Sequence, residues 1–342
     1  MPIISNALTL EDLPPPSLGK SGWPWTEQSQ PLPDRMPDGS EWPRISIVTP
    51  NYNQGQFLEE TIRSVLLQGY PNLEYIIIDG GSTDNSVEII KKYEPYLAYW
   101  VSERDRGQSH GINKGFERCT GDYIAWMNSS DCYMPGAFQY LFNDSQESPP
   151  DFLFSCVAYA GKSLEKVQVN YNRGIKALDL KYLLRFFYSI DYIIPSQSVF
   201  VSKNLLNKVG LLNEELHYCM DLEWYVRIAL INPLYRVINR TICFYRFHDD
   251  SKTLSPENLV RQESITIAYK YAVYLSVKEQ RNIYRLIDYN NRLENQLGKI
   301  TNSLLNLLLI LINYPSESLT DRRFLGLWKR QVIQLFKGNV FN

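Results

Sequence analysis

The chain has 342 residues, 44% of them hydrophobic and 21% charged, and a formal net charge of −2. That length suits one large domain, or an average domain plus an appendage, with core enough to fold without disulfides or a structural metal. The near-balanced charge argues against a dedicated nucleic-acid binder, which would show a clustered basic stripe.

Residues 1–43 contain PPP, GWPW and QPLPD. Such segments form neither helices nor central strands. They predict an extended arm that packs on the body through Trp23, Trp25 and Trp42. No basic start precedes an apolar run, so no signal peptide is expected. From Arg44 the pattern changes. ISIVT (45–49) reads as a buried strand, and Phe57, Ile62, Val65 and Leu66 recur at helical spacing until Gly69 and Pro71. LEYIIID (73–79) is a strand and SVEIIKKY a helix; LAYWVS (97–102) is a strand, SHGINKGFERC a helix, and DYIAWM (122–127) a fourth strand. This alternation predicts an α/β fold with a mostly parallel central sheet flanked by helices. FLFSCVAYA, KVQVNY, a helix near 176–187, QSVFV, a helix opening near Asp221 and a last strand, TICFYRFH, follow. Beyond about Pro256 the pattern becomes a charged helical appendage. The resulting division is an arm (1–43), an α/β domain (44–255) and a C-terminal appendage (256–342). Cys119, Cys132, Cys156, Cys219 and Cys243 form no C-x-x-C pair. They read as free thiols in a reducing, cytoplasmic compartment.

Ligands of open α/β sheets bind beyond the carboxyl ends of the strands. The loops at those ends carry Thr49, Pro50, Asn51 and Tyr52; Asp79, Gly80, Gly81, Ser82 and Asp84; Glu103, Asp105, Arg106 and Gly107; and Asn128, Ser129, Ser130 and Asp131. Turn chemistry explains some of the Gly, Ser and Asn, but not an Asp closing the apolar run IIID. No G-x-G-x-x-G or G-x-x-x-x-G-K-[ST] occurs, against a dinucleotide or P-loop site. Three histidines without H-x-x-x-H, and no G-x-S-x-G, exclude the common zinc and serine hydrolase patterns.

The segment ISIVTPNYNQGQFLEETIRSVLLQGYPNLEYIIIDGGSTDNSVEIIKKY, then SERDRGQSHGINKGF, GDYIAWMNSSD, MDLEWYVRIAL and FYRFHDDSKT, resembles family 2 glycosyltransferases over residues 44–253. The resemblance implies the GT-A fold and inverting transfer of a sugar from a nucleoside-diphosphate-sugar to a hydroxyl acceptor on a surface polysaccharide, glycan or glycolipid. It implies that Pro50 and Tyr52 border the base and ribose, that Asp79 accepts from the base edge, and that Asn113 and Lys114 approach ribose or phosphate. Members carry acidic residues at the fourth strand's end that hold Mn2+ or Mg2+ on the diphosphate. Here Asn128 and Ser130 stand at such positions and leave Asp131 as the carboxylate, with Ser130 beside the nucleotide-sugar and His248 a further metal ligand. Asp221 is implied as the catalytic base, with Glu223 as its substitute. Trp224 reads equally as a sugar-site or a core residue.

Ser130 also motivates a rival reading, a weakly active or inactive nucleotide-sugar-binding subunit. Leu304–Ile312 is apolar but falls short of the ~20 residues that span a bilayer. Arg322, Arg323, Lys329, Arg330 and Lys337 then alternate with aromatic and aliphatic residues. That mixture suits peripheral contact with the membrane's inner face, or a homodimer through these helices.

Overall fold

The computed structural model describes residues 6–142, 149–164, 167–171, 177–188, 194–248, 257–297 and 304–338. Residues 249–253 of the FYRFHDDSKT segment lie outside them. The described residues fall into two compact units, one of residues 1–183 with 191–263, the other of 184–190 with 264–342.

The first unit opens with β1 (Ile45–Asn51), α1 (Gly55–Leu66), β2 (Leu73–Asp79), α2 (Ser86–Tyr93), β3 (Tyr99–Ser102), α3 (Gln108–Phe116) and β4 (Tyr123–Trp126). The strands β3, β2, β1 and β4 lie side by side and parallel. Each residue of β1 and β2 is buried, as β-branched runs covered by helices on both faces should be. The α3 helix packs directly on β1: a Cβ at Gly115 would lie 2.3 Å from Val48 Cγ1. Only glycine fits there without moving the strand.

The sheet continues with mixed pairing. Next come β5 (Cys132–Tyr133), β6 (Phe152–Ala160), β7 (Val167–Tyr171), α4 (Leu180–Leu183), β8 (Phe200–Ser202), α5 (Lys203–Val209), α6 (Met220–Ile231) and β9 (Tyr235–Arg246). The strand order is β3-β2-β1-β4-β8-β6-β9-β5, with β7 on β6. The β8 strand runs antiparallel to β4 and β6, whereas β6 and β9 are parallel. Two expectations change. The helix near 176–187 is one short turn, α4, followed by turns through Tyr188; the aromatic run Phe186–Tyr188 has weak helical preference. The last strand begins six residues before TICFYRFH, at Tyr235.

The arm belongs to the first unit. Arg63 of α1 is fully buried. It donates to the carbonyls of Pro14 (2.8 Å), Pro24 (3.0 Å) and Trp25 (3.1 Å) and to the Tyr93 hydroxyl (3.1 Å). The Trp23 indole donates to Tyr133 O at 2.9 Å. After α1 the chain turns at Gly69, whose φ of +66° favours glycine and whose Cβ position lies 2.5 Å from Gln30 O. The arm therefore lies against backbone where a side chain would exclude it.

The second unit is helical. It takes in the end of α7 (Glu257–Tyr271), α8 (Val277–Leu297), α9 (Leu304–Asn313), α10 (Pro315–Thr320) and α11 (Arg322–Gly338). Its core joins Tyr289, Leu293, Leu307, Ile310, Tyr314, Phe324 and Leu327.

Candidate active site

The register of β1 and β2 sets Asn51 beside Asp79 at the carboxyl edge of the sheet. Asp79 is fully buried. Its Oδ1 accepts from Asn51 Nδ2 (2.6 Å) and Ser82 Oγ (2.5 Å). Its Oδ2 accepts from Ser82 N (2.9 Å), Gly81 N (3.2 Å) and Ser102 Oγ (2.5 Å). A carboxylate offers about four lone-pair positions. Five donors from the protein saturate it, so in this conformation Asp79 ties three loops together and has no acceptor left for a base edge. Next to it, Asn51 Oδ1 is buried without a donor among the described residues. Pro50 is buried in β1, and Tyr52 is 60% exposed.

Asn113 does not point a free amide at a ligand. Its Nδ2 donates to Leu212 O (3.0 Å) and Glu214 Oε1 (3.1 Å), and its Oδ1 accepts from Leu212 N (3.0 Å). It is a clamp between α3 and the segment before α6. Lys114 pairs with Glu103 Oε1 at 2.5 Å, and the hydrogen bond from Lys114 holds that carboxyl below its usual range.

The same clamp sets Asp221. Arg106 pairs with Glu214 at 2.6 Å. Glu263 accepts from the backbone amides of His217, Tyr218 and Cys219, at 2.8–2.9 Å, immediately before α6. Trp224, one turn on, packs against Trp126 at the end of β4 (5.7 Å between centroids) and against Phe116 (5.8 Å). Trp224 is thus a core residue, and its packing anchors the first turn of α6 to the strand that leads into 128–131. Asp221, in that turn, is half-buried, and its Oδ1 accepts from Leu222 N at 2.7 Å. Glu223 is 3% exposed and pairs with Arg227 Nε at 2.9 Å. Arg227 also donates to Val209 O and Leu211 O. The substitute base is therefore committed to structure.

The 128–131 loop is held from several sides. Gln108 Nε2 donates to Asn128 Oδ1 at 2.8 Å, and Thr61 Oγ1 to Ser129 O (2.9 Å) and Asp131 O (2.7 Å). Asp131 is buried. Its Oδ1 accepts from Arg246 N (2.9 Å), and its Oδ2 from Gln197 Nε2 (2.7 Å) and Asn128 Nδ2 (3.1 Å). Burial pushes its pKa up, against the pull of these bonds and of the Arg246 charge. Arg246 Nε donates to Ser130 O at 2.7 Å, while Arg246 NH2 pairs with Glu60 Oε2 at 2.5 Å. The Arg246 guanidinium and the His248 ring both lie against Phe57, at 4.7 and 5.0 Å. The structure thus brings Asp131, Ser130 and His248 into one neighbourhood through the end of β9.

Residues 46–210 match the sequence model of glycosyl transferase family 2. The chain carries a family 2 glycosyltransferase domain. An uncharacterized glycosyltransferase of Mycobacterium tuberculosis is 29% identical over 199 residues, which cover 55% of this chain and 70% of that one. TuaG of Bacillus subtilis, named for teichuronic acid biosynthesis, is 33% identical over 132 residues, 36% of this chain and 52% of its own. Among solved structures, TarS of S. aureus superposes with a TM-score of 0.54 at 17% identity, over 82% of this chain and 50% of its own. A mannosyltransferase from Pyrobaculum calidifontis, solved with GDP-Man and Mn2+, gives 0.54 at 16% identity, over 86% of this chain and 81% of its own. At such identities these structures establish a shared fold, that of GT-A glycosyltransferases. This glycosyltransferase spans half the length of the TarS chain.

The family implies a divalent cation, and the donor set fits one in part. Three donors occupy Asp131, which leaves one lone-pair position on Oδ1 that none of the described groups takes. His248 supplies an imidazole nearby. No cluster of three or more His, Cys, Asp or Glu side chains suited to a metal occurs among the described residues. Among the described residues, Asp131 and His248 are the two groups that would hold a cation, and the diphosphate oxygens would complete the shell.

Proposed function

We propose that this glycosyltransferase moves a sugar, with inversion, from a nucleoside-diphosphate-sugar to a hydroxyl of a polysaccharide, glycan or glycolipid acceptor. The observation that carries the reading is the contrast between two acids on α6. Glu223 is buried and neutralised by Arg227, whereas Asp221 is half-exposed on a turn fixed to the end of β4. Inverting transfer is a single displacement and needs a carboxylate within reach of the acceptor hydroxyl to take its proton. Asp221 fills that role. The P. calidifontis structure, with GDP-Man and Mn2+ on the same fold, supports a nucleotide-sugar donor; the name of TuaG supports a cell-surface polysaccharide acceptor.

On the donor side, the orphaned Asn51 Oδ1 accepts from an N–H of the base or an O–H of the ribose, with Pro50 and Tyr52 beside it. Asp79 keeps the Asn51 amide turned correctly. A bound Mn2+ or Mg2+, held by Asp131 and His248, would stabilise the charge of the departing nucleoside diphosphate. Ser130, Asn128 and Gln108 shape the wall next to it. Thermal stabilisation by a panel of nucleotide-sugars with Mn2+, followed by a transfer assay on the donors that bind, tests this reading. Binding without transfer to any hydroxyl acceptor would favour the binding-subunit alternative.

The second unit suits an anionic membrane surface. It holds twelve Lys and Arg against five Asp and Glu, a formal +7 in a chain of −2. Four of those acids pair with Arg285, Arg292 and Arg323. Exposed Arg322, Lys329 and Arg330 share α11 with exposed Leu325. No helix among the described residues is long and apolar enough to cross a membrane, so the contact is peripheral.

A further inference from the structure

The N-terminal arm lies outside the span that matches the family, yet its hydrogen bonds lead to the floor of the candidate site. Trp25 is buried, and its indole N–H donates to Glu60 Oε1 at 3.3 Å. The other oxygen of Glu60 pairs with Arg246 NH2 at 2.5 Å, with side-chain exposures of 15% for Glu60 and 1% for Arg246. Arg246 Nε then holds Ser130 O, and its backbone amide holds Asp131 Oδ1. The next residue of α1, Thr61, holds the same loop directly through Ser129 O and Asp131 O. Two residues further, Arg63 grips the arm through three carbonyls. One face of one helical turn thus fastens the arm, and another fastens the 128–131 loop.

We propose that the arm is a positioning element of the active site, acting through Trp25, Glu60 and Arg246 on the 128–131 loop. Its relevance to transfer rests on the donor-site reading above; its effect on the loop does not. The charge on Glu60 matters because it faces a buried guanidinium, and removing one partner of a buried ion pair is strongly destabilising. The Asp131 carboxylate already bonds the Arg246 backbone. Weakening the arm's grip on Glu60 lets the guanidinium shift toward Asp131 and draws the loop out of register.

Two conservative variants of the full chain test this. Trp25→Phe keeps an aromatic ring and removes the indole N–H; Glu60→Gln keeps the shape and removes the charge. Donor KM, kcat and hydrogen exchange of peptides covering 127–133 are measured for each variant and for the double variant. Both single variants are expected to speed exchange in 127–133. They should also lower kcat/KM by about tenfold or more, since misplacement by about 1 Å can cost a hundredfold. The double variant should be no worse than Glu60→Gln alone, because Trp25 acts through Glu60. Wild-type exchange in 127–133 for both variants would overturn the proposal. So would effects that multiply in the double variant, or faster exchange spread evenly over the first unit. If exchange responds as expected while the wild type transfers no sugar, the coupling from arm to loop stands and the donor reading falls.

Discussion

Replacing Asp79 separates two roles for a carboxylate at the end of β2. If Asp79 met a nucleobase, Asp79→Ala would weaken nucleotide binding and leave stability intact. The structure requires the opposite order. Of its five donors, the Ser82 and Ser102 hydroxyls can rotate toward other acceptors and Asn51 Nδ2 keeps Ser82 Oγ at 3.2 Å, but Gly81 N and Ser82 N are fixed by the backbone. Each buried donor left without an acceptor costs about 1–3 kcal/mol, so two cost about 2–6 kcal/mol. At about 2–4 °C per kcal/mol for a domain of this size, Tm should fall by roughly 4–24 °C. Nucleotide affinity should fall too, but secondarily, as the Asn51 amide loses its orientation. Asp79→Asn should recover part of the stability by restoring one acceptor oxygen. Thermal melts, with calorimetry using the bare nucleoside diphosphate, decide the matter. An Asp79→Ala protein with wild-type Tm and lost nucleotide affinity would refute the loop-tying role and restore direct base contact.

Asp221→Asn should keep donor binding and lower transfer about 10²–10⁴-fold; near-normal turnover would remove Asp221 as the base. Mn2+ should bind weakly to the protein alone and much more tightly with nucleoside diphosphate present, because each ligand favours the other. Ser130→Asp should strengthen that binding and Asp131→Ala should abolish it; tight, nucleotide-independent binding in Asp131→Ala would place the metal elsewhere. The full chain should co-sediment with anionic vesicles at low salt and release as salt screens the contact. If the protein stays in the supernatant, the lipid contact falls and sizing then tests for a dimer.

The parallel half of the sheet was legible because its strands are continuous β-branched runs and its helices keep their period between glycines. The mixed half was less so: β5 has two residues, and the end of β9 carries Arg246 within an aromatic strand, where pattern alone suggests an outward-facing charge. That Arg was the one available signal for the buried network around Asp131, and Gln197 and Glu60 gave none. The candidate residues were read at the right edge of the sheet, but hydrogen-bond saturation is a three-dimensional property. No linear spacing shows that Asn113 clamps Leu212, that Asp79 has no lone pair to offer, or that Glu223 belongs to Arg227.

The arm's attachment also bears on the order in which the chain can be assembled as it is synthesised. Trp23 is made early, yet its partner, Tyr133 O, lies 110 residues downstream. Until that partner leaves the ribosome the Trp23 indole lacks this acceptor, and its ring adds to the apolar surface that a nascent chain presents to chaperones or to other chains. Such a distant closure makes the docking of Trp23 a late event in folding. A protein begun at Arg44 would be spared the wait, but Arg63 would then keep a guanidinium built to face three carbonyls and find the Tyr93 hydroxyl as its one remaining partner from that set.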